Sequence, residues 1–486
     1  MKRDSNKTNL RITMASMPMS LDPIESIDKS SARIKAQIFE TLFNLDDNLN
    51  IVPSLAESWK FTDATTLEIT LKKGVKFHNG MELNAEDVEF SINRVIASSY
   101  YGKLLSIIDR IEVKGDYIVI IRLKETFVPI LAHLSHSCTA IVNKAAVEEV
   151  GKNAHEYNPI GTGPFKFEKL TWKKFLGSVE ISRFDEYHGK KALIKTVSFK
   201  SVPEYSLRIS ELERGRTDIV YDIYPEDMGR MEENSDAIII KSLDFSVNSI
   251  GFNCKAPPFD NPLVRRAICH GIDREDILKT VYHGQGAFAN GPISPKIWGS
   301  AHDEIIPLEY DIEKAKALLK EAGYENGFKS KIYVSRRLER LRTAMLVQSH
   351  LKLINISCDL KISEWEEYAS TVENGADGIF LVNWVALTGD ADYGLYQLFY
   401  DFGRGSNYLF YSNQKVNELL DAARGEFDAV KRKLLYLEAQ KLICDDTPCL
   451  FYHQGEDINA VSPNVRGLKS PHYSCHAFKD VYFDLN

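Results

Sequence analysis

Seven cysteines, at positions 138, 254, 269, 358, 444, 449 and 475, are too scattered and odd in number to read as a disulfide framework. At least one thiol is left over, which fits a reducing or anaerobic habitat. Only the run CDDTPC at 444–449 could close a small disulfide, and two unrelated buried thiols explain it equally well. Long apolar runs are missing too. The stretches 117–123 and 449–452 fall far short of the roughly 20 residues a membrane-spanning helix needs. Nor is there a basic excess: 60 lysines and arginines face 68 acids, for a net charge of −8. Without a cationic stripe to release counterions, nucleic acid is excluded as a partner, and the acidic surplus reads as a solubility device. The opening MKRDSNKTN has basic residues but no apolar stretch behind them, so it is not a signal peptide as it stands. Either the protein is cytosolic, or the chain starts behind an export signal already removed.

The motifs of catalysis are missing as well. There is no Gly-x-Ser-x-Gly elbow, no phosphate loop and no His-Glu-x-x-His zinc helix. Gly161-Thr-Gly163 lacks the third glycine of a dinucleotide fingerprint. Two clusters carry metal-ligating side chains: His133, His136 and Cys138, and His472, Cys475 and His476. Neither has paired Cys-x-x-Cys spacing, so polar loop residues and satisfied histidines are the favoured reading, with no cofactor or metal expected.

What is present is a globular composition, 44% hydrophobic and 26% charged, in 486 residues, enough for two or three packed units. From 12 to about 160 the pattern is hairpin-rich. Leu67, Ile69 and Leu71 alternate with polar residues ahead of a turn at 72–74 into 75–77, and a second hairpin turns at 114–116. Between them Asn84, with Asp87 three residues on, caps a helix whose stripe is Val88, Ile92, Val95 and Ile96. Beyond the tight turn at 161–164 the pattern becomes mixed α/β. Helices are expected at 206–214, from the Asp311 cap, at 338–354, at 414–423 behind Ser412 or Asn413, and at 428–443; a strand is expected at 380–384. No flexible linker separates the halves, so two short extended crossings, at 248–253 and 458–465, are expected to join them as a hinge.

Several ordered motifs carry a resemblance: VPSLAESW at 52–59, LKKGVKFHNG at 71–80, NAEDVEF at 84–90, NPIGTGPF at 158–165, FDNPLVRRAI at 259–268, YDIEKAKALL at 310–319 and YSN at 411–413. Together they resemble the peptide/nickel-binding family (family 5) of bacterial importer receptors, over essentially the whole chain. The resemblance implies an α/β, two-lobed periplasmic-binding-protein fold (type II, cluster C). Lobe I would hold 10–247 and 465–486, with an extra subdomain inserted at about 42–160. Lobe II would hold 248–464, with the ligand cleft between lobes. It also implies an extracytoplasmic, often lipid-anchored, monomeric subunit of an ABC importer, with membrane permease and ATPase partners.

The same resemblance suggests the site. In dipeptide- and oligopeptide-binding members an aspartate three residues after a tryptophan holds the peptide's amino terminus; after Trp384 that position is Leu387. The run Thr388, Asp390, Asp392 and Tyr393 is instead similar to the glutathione-binding branch, which leaves the two aspartates as candidate ammonium partners. Arg336 and Arg337, just before the helix at 338–354, are candidates for the ligand carboxylate, and His136 sits in a segment similar to a cleft edge. Trp365, Trp384 and Tyr393 would be apolar walls. A peptide brings opposite charges out of water, so each end requires an opposite fixed charge, and an arginine fork suits a carboxylate best. The same residues have plain structural readings: Asp390 or Asp392 can cap a helix, and Trp384 can be core. A short peptide is the expected ligand. The other readings are glutathione or a γ-linked peptide, a nickel or metal chelate, a peptidase, and an adhesin or folding helper.

Overall fold

The structure is a computed structural model, and it describes residues 7–26, 28–151, 159–173, 176–224, 228–232, 237–386, 388–403, 407–469 and 475–484. The chain divides into two compact units, 1–242 with 457–486, and 243–456. The divisions fall inside two long strands, Ile238–Phe252 and Cys449–Val461. They lie a few residues ahead of the boundaries expected at 247 and 464.

In the first unit the strand order is Cys449–Val461, Ile219–Val220, Asn9–Met14, Thr196–Ser201, Leu176–Arg183, Phe165–Lys173. Asn9–Met14 runs parallel to both neighbours. Its residues Leu10, Ile12 and Met14 are buried, and so is Thr13, as expected of a strand covered on both faces. Helix Lys29–Ile38 packs Ile34 and Ile38 into this core.

The glycines of NPIGTGPF sit against that helix. A Cβ on Gly161 would stand 2.1 Å from the Ile38 carbonyl oxygen, and one on Gly163 would stand 2.6 Å from that of Gln37. The Gly163 amide donates to the Ile38 carbonyl at 2.9 Å, so the turn closes the end of the helix. Gly161→Ala is therefore expected to lower stability by about 1–3 kcal/mol, the usual cost of overpacking, read as a shift in the urea midpoint.

Residues 56–123 form a separate antiparallel sheet in the order Ala56–Asp63, Thr66–Leu71, Ile118–Leu123, Ile108–Val113. Helix Ala85–Ile96 covers it, and Asn84 and Asp87 form the reciprocal capping box. One hairpin differs from expectation. Leu67, Ile69 and Leu71 are buried, but their strand pairs with Ala56–Asp63 and Ile118–Leu123, not with 75–77. The tight turn lies at 63–66, where Asp63 accepts from the Thr65 amide at 2.9 Å; the segment after Gly74 leaves the sheet to pair Lys76 with Glu82.

The second unit has the strand order Ile356–Ser363, Phe328–Ser335, Ile379–Val385, Ile238–Phe252, Cys449–Val461. Phe328–Ser335 is parallel to both neighbours, while Ile379–Val385 runs antiparallel to Ile238–Phe252, with Trp384 opposite Val247. Pro262–His270, Ile312–Glu321 and Leu338–Lys352 pack against it around Ile268, Leu319, Val347 and Ile379. Asp311, Asn413 and Asp428 cap their helices through side-chain oxygens. Among the described residues no helix is long and apolar enough to cross a membrane.

Candidate functional site

In the second unit, strand Ile379–Val385 delivers Trp384 to one edge, and helix Ala391–Phe399 starts six residues later. Leu387 lies outside the described residues. Thr388 is buried and donates to the Asp390 carbonyl oxygen at 3.2 Å. Asp390 is the N-cap of the helix, accepting from the Asp392 amide at 3.0 Å. Its other carboxylate oxygen takes Arg432, whose guanidinium lies 4.3 Å over the Trp298 ring. Burial, the largest single influence, would lower the pKa of that arginine, but Asp390 and Tyr436 together outweigh it and the pKa is raised. Asp392, 1% exposed, receives a fork from Arg424: Nε at 2.8 Å and Nη2 at 3.2 Å. Arg424 in turn lies 3.2 Å over the Tyr396 ring.

The two aspartates are thus together, as the sequence suggests, but each already has an arginine. A carboxylate engaged in this way has little left to offer an ammonium group, and removing it would strand a buried cation. Their place is internal, at the junction of Ala391–Phe399 with Gln414–Gly425 and Ala429–Asp446.

Trp384 and Tyr393 do meet. Their rings stack with centroids 6.1 Å apart and planes at 13°, and Tyr408 meets the indole edge-on at 6.2 Å. The Trp384 indole N–H has no acceptor among the described residues.

The arginines divide differently. Arg336 is exposed and pairs through Nε with Glu364 at 2.9 Å, an ion pair of small value in water. Arg337 is exposed at the N-cap position of helix Leu338–Lys352 and makes no side-chain cap. One turn further on, Arg340 turns inward. Its Nη1 donates to the Ser335 hydroxyl at 2.8 Å, and its guanidinium lies 5.3 Å over Trp365 and 5.9 Å over Tyr368. Burial lowers its pKa from the usual arginine range, and no carboxylate pairs with it among the described residues. Tyr282 and Tyr452 stand close enough for their hydroxyl oxygens to be 3.5 Å apart. Tyr282 also stacks on His453 at 3.6 Å.

Sequence reasoning missed Arg340. The available signal was its place: it lies three residues beyond Arg337, inside the helix expected to start at 338. Of the expected residues, Trp365 therefore adjoins Arg340, and Trp384 adjoins Tyr393. Arg336 and Arg337 stay in water.

His136 belongs to the first unit and is buried. Its Nδ1 accepts from the Cys138 amide at 3.2 Å, capping the short turn Ser137–Thr139. Burial, with the charges of Lys35 and His133, pushes its pKa down to about 3. His133 donates through its Nδ1–H to the Leu104 carbonyl oxygen, 2.8 Å away. Among the described residues no three ligating side chains gather into a metal site, and His472 lies outside them. None of the seven cysteines is in a disulfide, Cys444 and Cys449 included.

His78, half-buried, and His453 and His476, buried, are also pushed down to about 4, in each case by desolvation first. His78 accepts from the Gly161 amide at 3.3 Å and donates to the Gly163 carbonyl at 3.0 Å, an arrangement suited to a neutral ring. These four rings bind fewer protons folded than unfolded between about pH 6.5 and about 4. Their contribution to stability is complete above about pH 6.5 and is lost as pH falls through that window. Urea midpoints are expected to decline from about pH 6.5 downward, with each ring contributing up to about 1.4 kcal/mol per pH unit. Midpoints unchanged between about pH 7.5 and pH 5 would contradict this.

A model of the bacterial extracellular solute-binding proteins, family 5 (middle region), matches residues 50–406. The chain is similar to the dipeptide-binding protein of Escherichia coli K12, 29% identical over 463 residues covering 89% of this chain and 86% of that one. It is similar to the glutathione-binding protein GsiB of Pectobacterium atrosepticum, 29% identical over 97% of this chain and 93% of that one. Among solved structures it resembles the ABC transporter-associated periplasmic binding protein DppA of Helicobacter pylori in complex with the peptide STSA. There the TM-score is 0.84 at 29% identity, with 98% of each chain covered.

Proposed function

Because this chain belongs to the bacterial extracellular solute-binding proteins of family 5, we propose that it is the extracytoplasmic solute-binding subunit of an ABC importer and that its solute is a short peptide. The observation that carries the reading is Arg340: a half-buried guanidinium with aromatic rings beneath it and no carboxylate partner among the described residues. A cation held so is a standing offer to an anionic group, and its planar fork matches a terminal carboxylate. Trp365, exposed in part, supplies an apolar wall that accepts many side chains, with Tyr368 buried behind it. Relatives named for dipeptide and for glutathione binding, and one solved with a tetrapeptide, support the solute class.

In this reading the protein binds and releases its solute unchanged and passes it to a permease and ATPase. It works as a monomer outside the cytoplasm, in the periplasm or lipid-anchored to the outer face of the cell membrane. A second reading, glutathione or another γ-linked peptide, draws on the engagement of Asp390 and Asp392 by arginines. A site with a spare arginine and committed acids suits a solute with more carboxylates than ammonium groups.

A thermal-shift panel of di-, tri- and oligopeptides, reduced and oxidised glutathione, and nickel–histidine tests both. A ligand at 100 times its Kd stabilises the native state by about 2.7 kcal/mol and raises the midpoint. Peptides should do so and be recovered intact; a shift with nickel–histidine alone, or cleavage of the peptide, would overturn the proposal.

A further inference from the structure

The second unit contains a cavity of about 360 Å³ that shares no lining residue with the proposed peptide site. It is walled by helix Pro262–His270, the first turn of Arg274–Thr280, the loop 304–308, the end of Ala429–Asp446 and the start of Cys449–Val461. Its lining is mixed: Ile305, Leu308, Leu450 and Phe451 are apolar, while Arg266, Arg274 and Lys441 accompany Glu304 and Asp445, a surplus of one positive charge.

Arg274 is the informative residue. Its Nη1 is spent on two carbonyl oxygens, Ala289 at 3.0 Å and Phe451 at 3.2 Å. Its face lies 5.4 Å from the Phe288 ring centre. No carboxylate pairs with it among the described residues, and the rest of its fork makes no hydrogen bond there. A partly buried guanidinium ordinarily finds an acid, because leaving the charge uncompensated is costly. Here backbone carbonyls aim it, and no carboxylate among the described residues forms an ion pair with it. The arrangement resembles that of Arg340, but the space in front is small and half greasy.

We propose that this cavity is a second ligand site, for a small amphipathic carboxylate whose charge pairs with Arg274 and whose short apolar body lies on Ile305, Leu450 and Phe451. The volume sits near the lower end of the range for small-molecule pockets, which suits a free short-chain or aryl acid. The three cysteines that line the cavity, Cys269, Cys444 and Cys449, give it a built-in reporter. Cys444 is the least covered of them.

The test is the alkylation rate of Cys444 by iodoacetamide, followed by peptide mass spectrometry on the whole chain. Hexanoate and phenylacetate are the probes and hexanol is the neutral control. At a tenfold excess over Kd, a bound acid should slow alkylation about tenfold, saturably; hexanol should not. Arg274→Gln should abolish the protection while leaving peptide affinity unchanged, which separates this site from the one at Arg340. Equal protection by hexanol and hexanoate, protection that survives Arg274→Gln, or no protection by either acid up to about 10 mM, ten times a Kd of about 1 mM, would each overturn the proposal. Should Arg274→Gln fail to fold, the wild-type contrast between hexanoate and hexanol decides the matter alone.

Discussion

Arg340→Met should weaken binding of a peptide with a free carboxyl terminus by roughly 30- to 1,000-fold, about 2–4 kcal/mol. Methionine keeps much of the apolar stem above Trp365 and Tyr368, so the loss reads out the guanidinium and not the packing. The physical reason is asymmetry: in the complex the carboxylate would remain buried without its fork. Calorimetric titration of both proteins with one peptide, as free acid and as terminal amide, closes the cycle. Wild type should discriminate against the amide by a similar factor, and Arg340→Met should be indifferent to it. Arg336→Met and Arg337→Met should change affinity by less than about 1 kcal/mol, because both side chains are exposed and Arg336 is held only by a solvated ion pair. An Arg336 or Arg337 effect exceeding that of Arg340 would move the carboxylate site outward, to the place first read from the sequence.

The second large effect concerns stability. Asp392→Asn removes the charge that neutralises Arg424, leaving a guanidinium that is mostly buried. Breaking one partner of such a pair typically costs about 3–5 kcal/mol. Asp390→Asn should behave in the same way towards Arg432, with the helix cap preserved because asparagine caps as well as aspartate. The double variant Asp392→Asn with Arg424→Met should recover part of the loss, since no uncompensated charge remains. Denaturant midpoints followed by circular dichroism measure this. Calorimetry on the folded variants then separates the two roles: peptide affinity should be nearly unchanged in Asp392→Asn. A stable Asp392→Asn that no longer binds peptide would return the aspartate to the ligand.

These two results bracket what the sequence could and could not disclose. Local chemistry was legible. The Asn84–Asp87 capping box and the caps at Asp311 and Asn413 each act within one helical turn, so the signal and its consequence lie side by side in the chain. The hairpin at 66–71 was misread because alternation fixes which face is buried and says nothing about which neighbour supplies the pairing. The acidic run at 388–393 shows the same limit in a functional setting. Its chemistry was visible, but the partners that decide its role lie 32 and 42 residues further on, in helices whose arginines look like ordinary surface cations. Arg340 was overlooked for the converse reason. In a run of three arginines within five residues, only packing against Trp365, 25 positions away, distinguishes the one that turns inward.

The most direct measurement is native mass spectrometry of the purified chain titrated with a mixture of two- to eight-residue peptides. One peptide should be retained per chain and displaced by excess of another, and Arg340→Met should retain none under the same conditions. A chain that keeps no peptide, or keeps amidated peptides as firmly as free acids, would contradict the account.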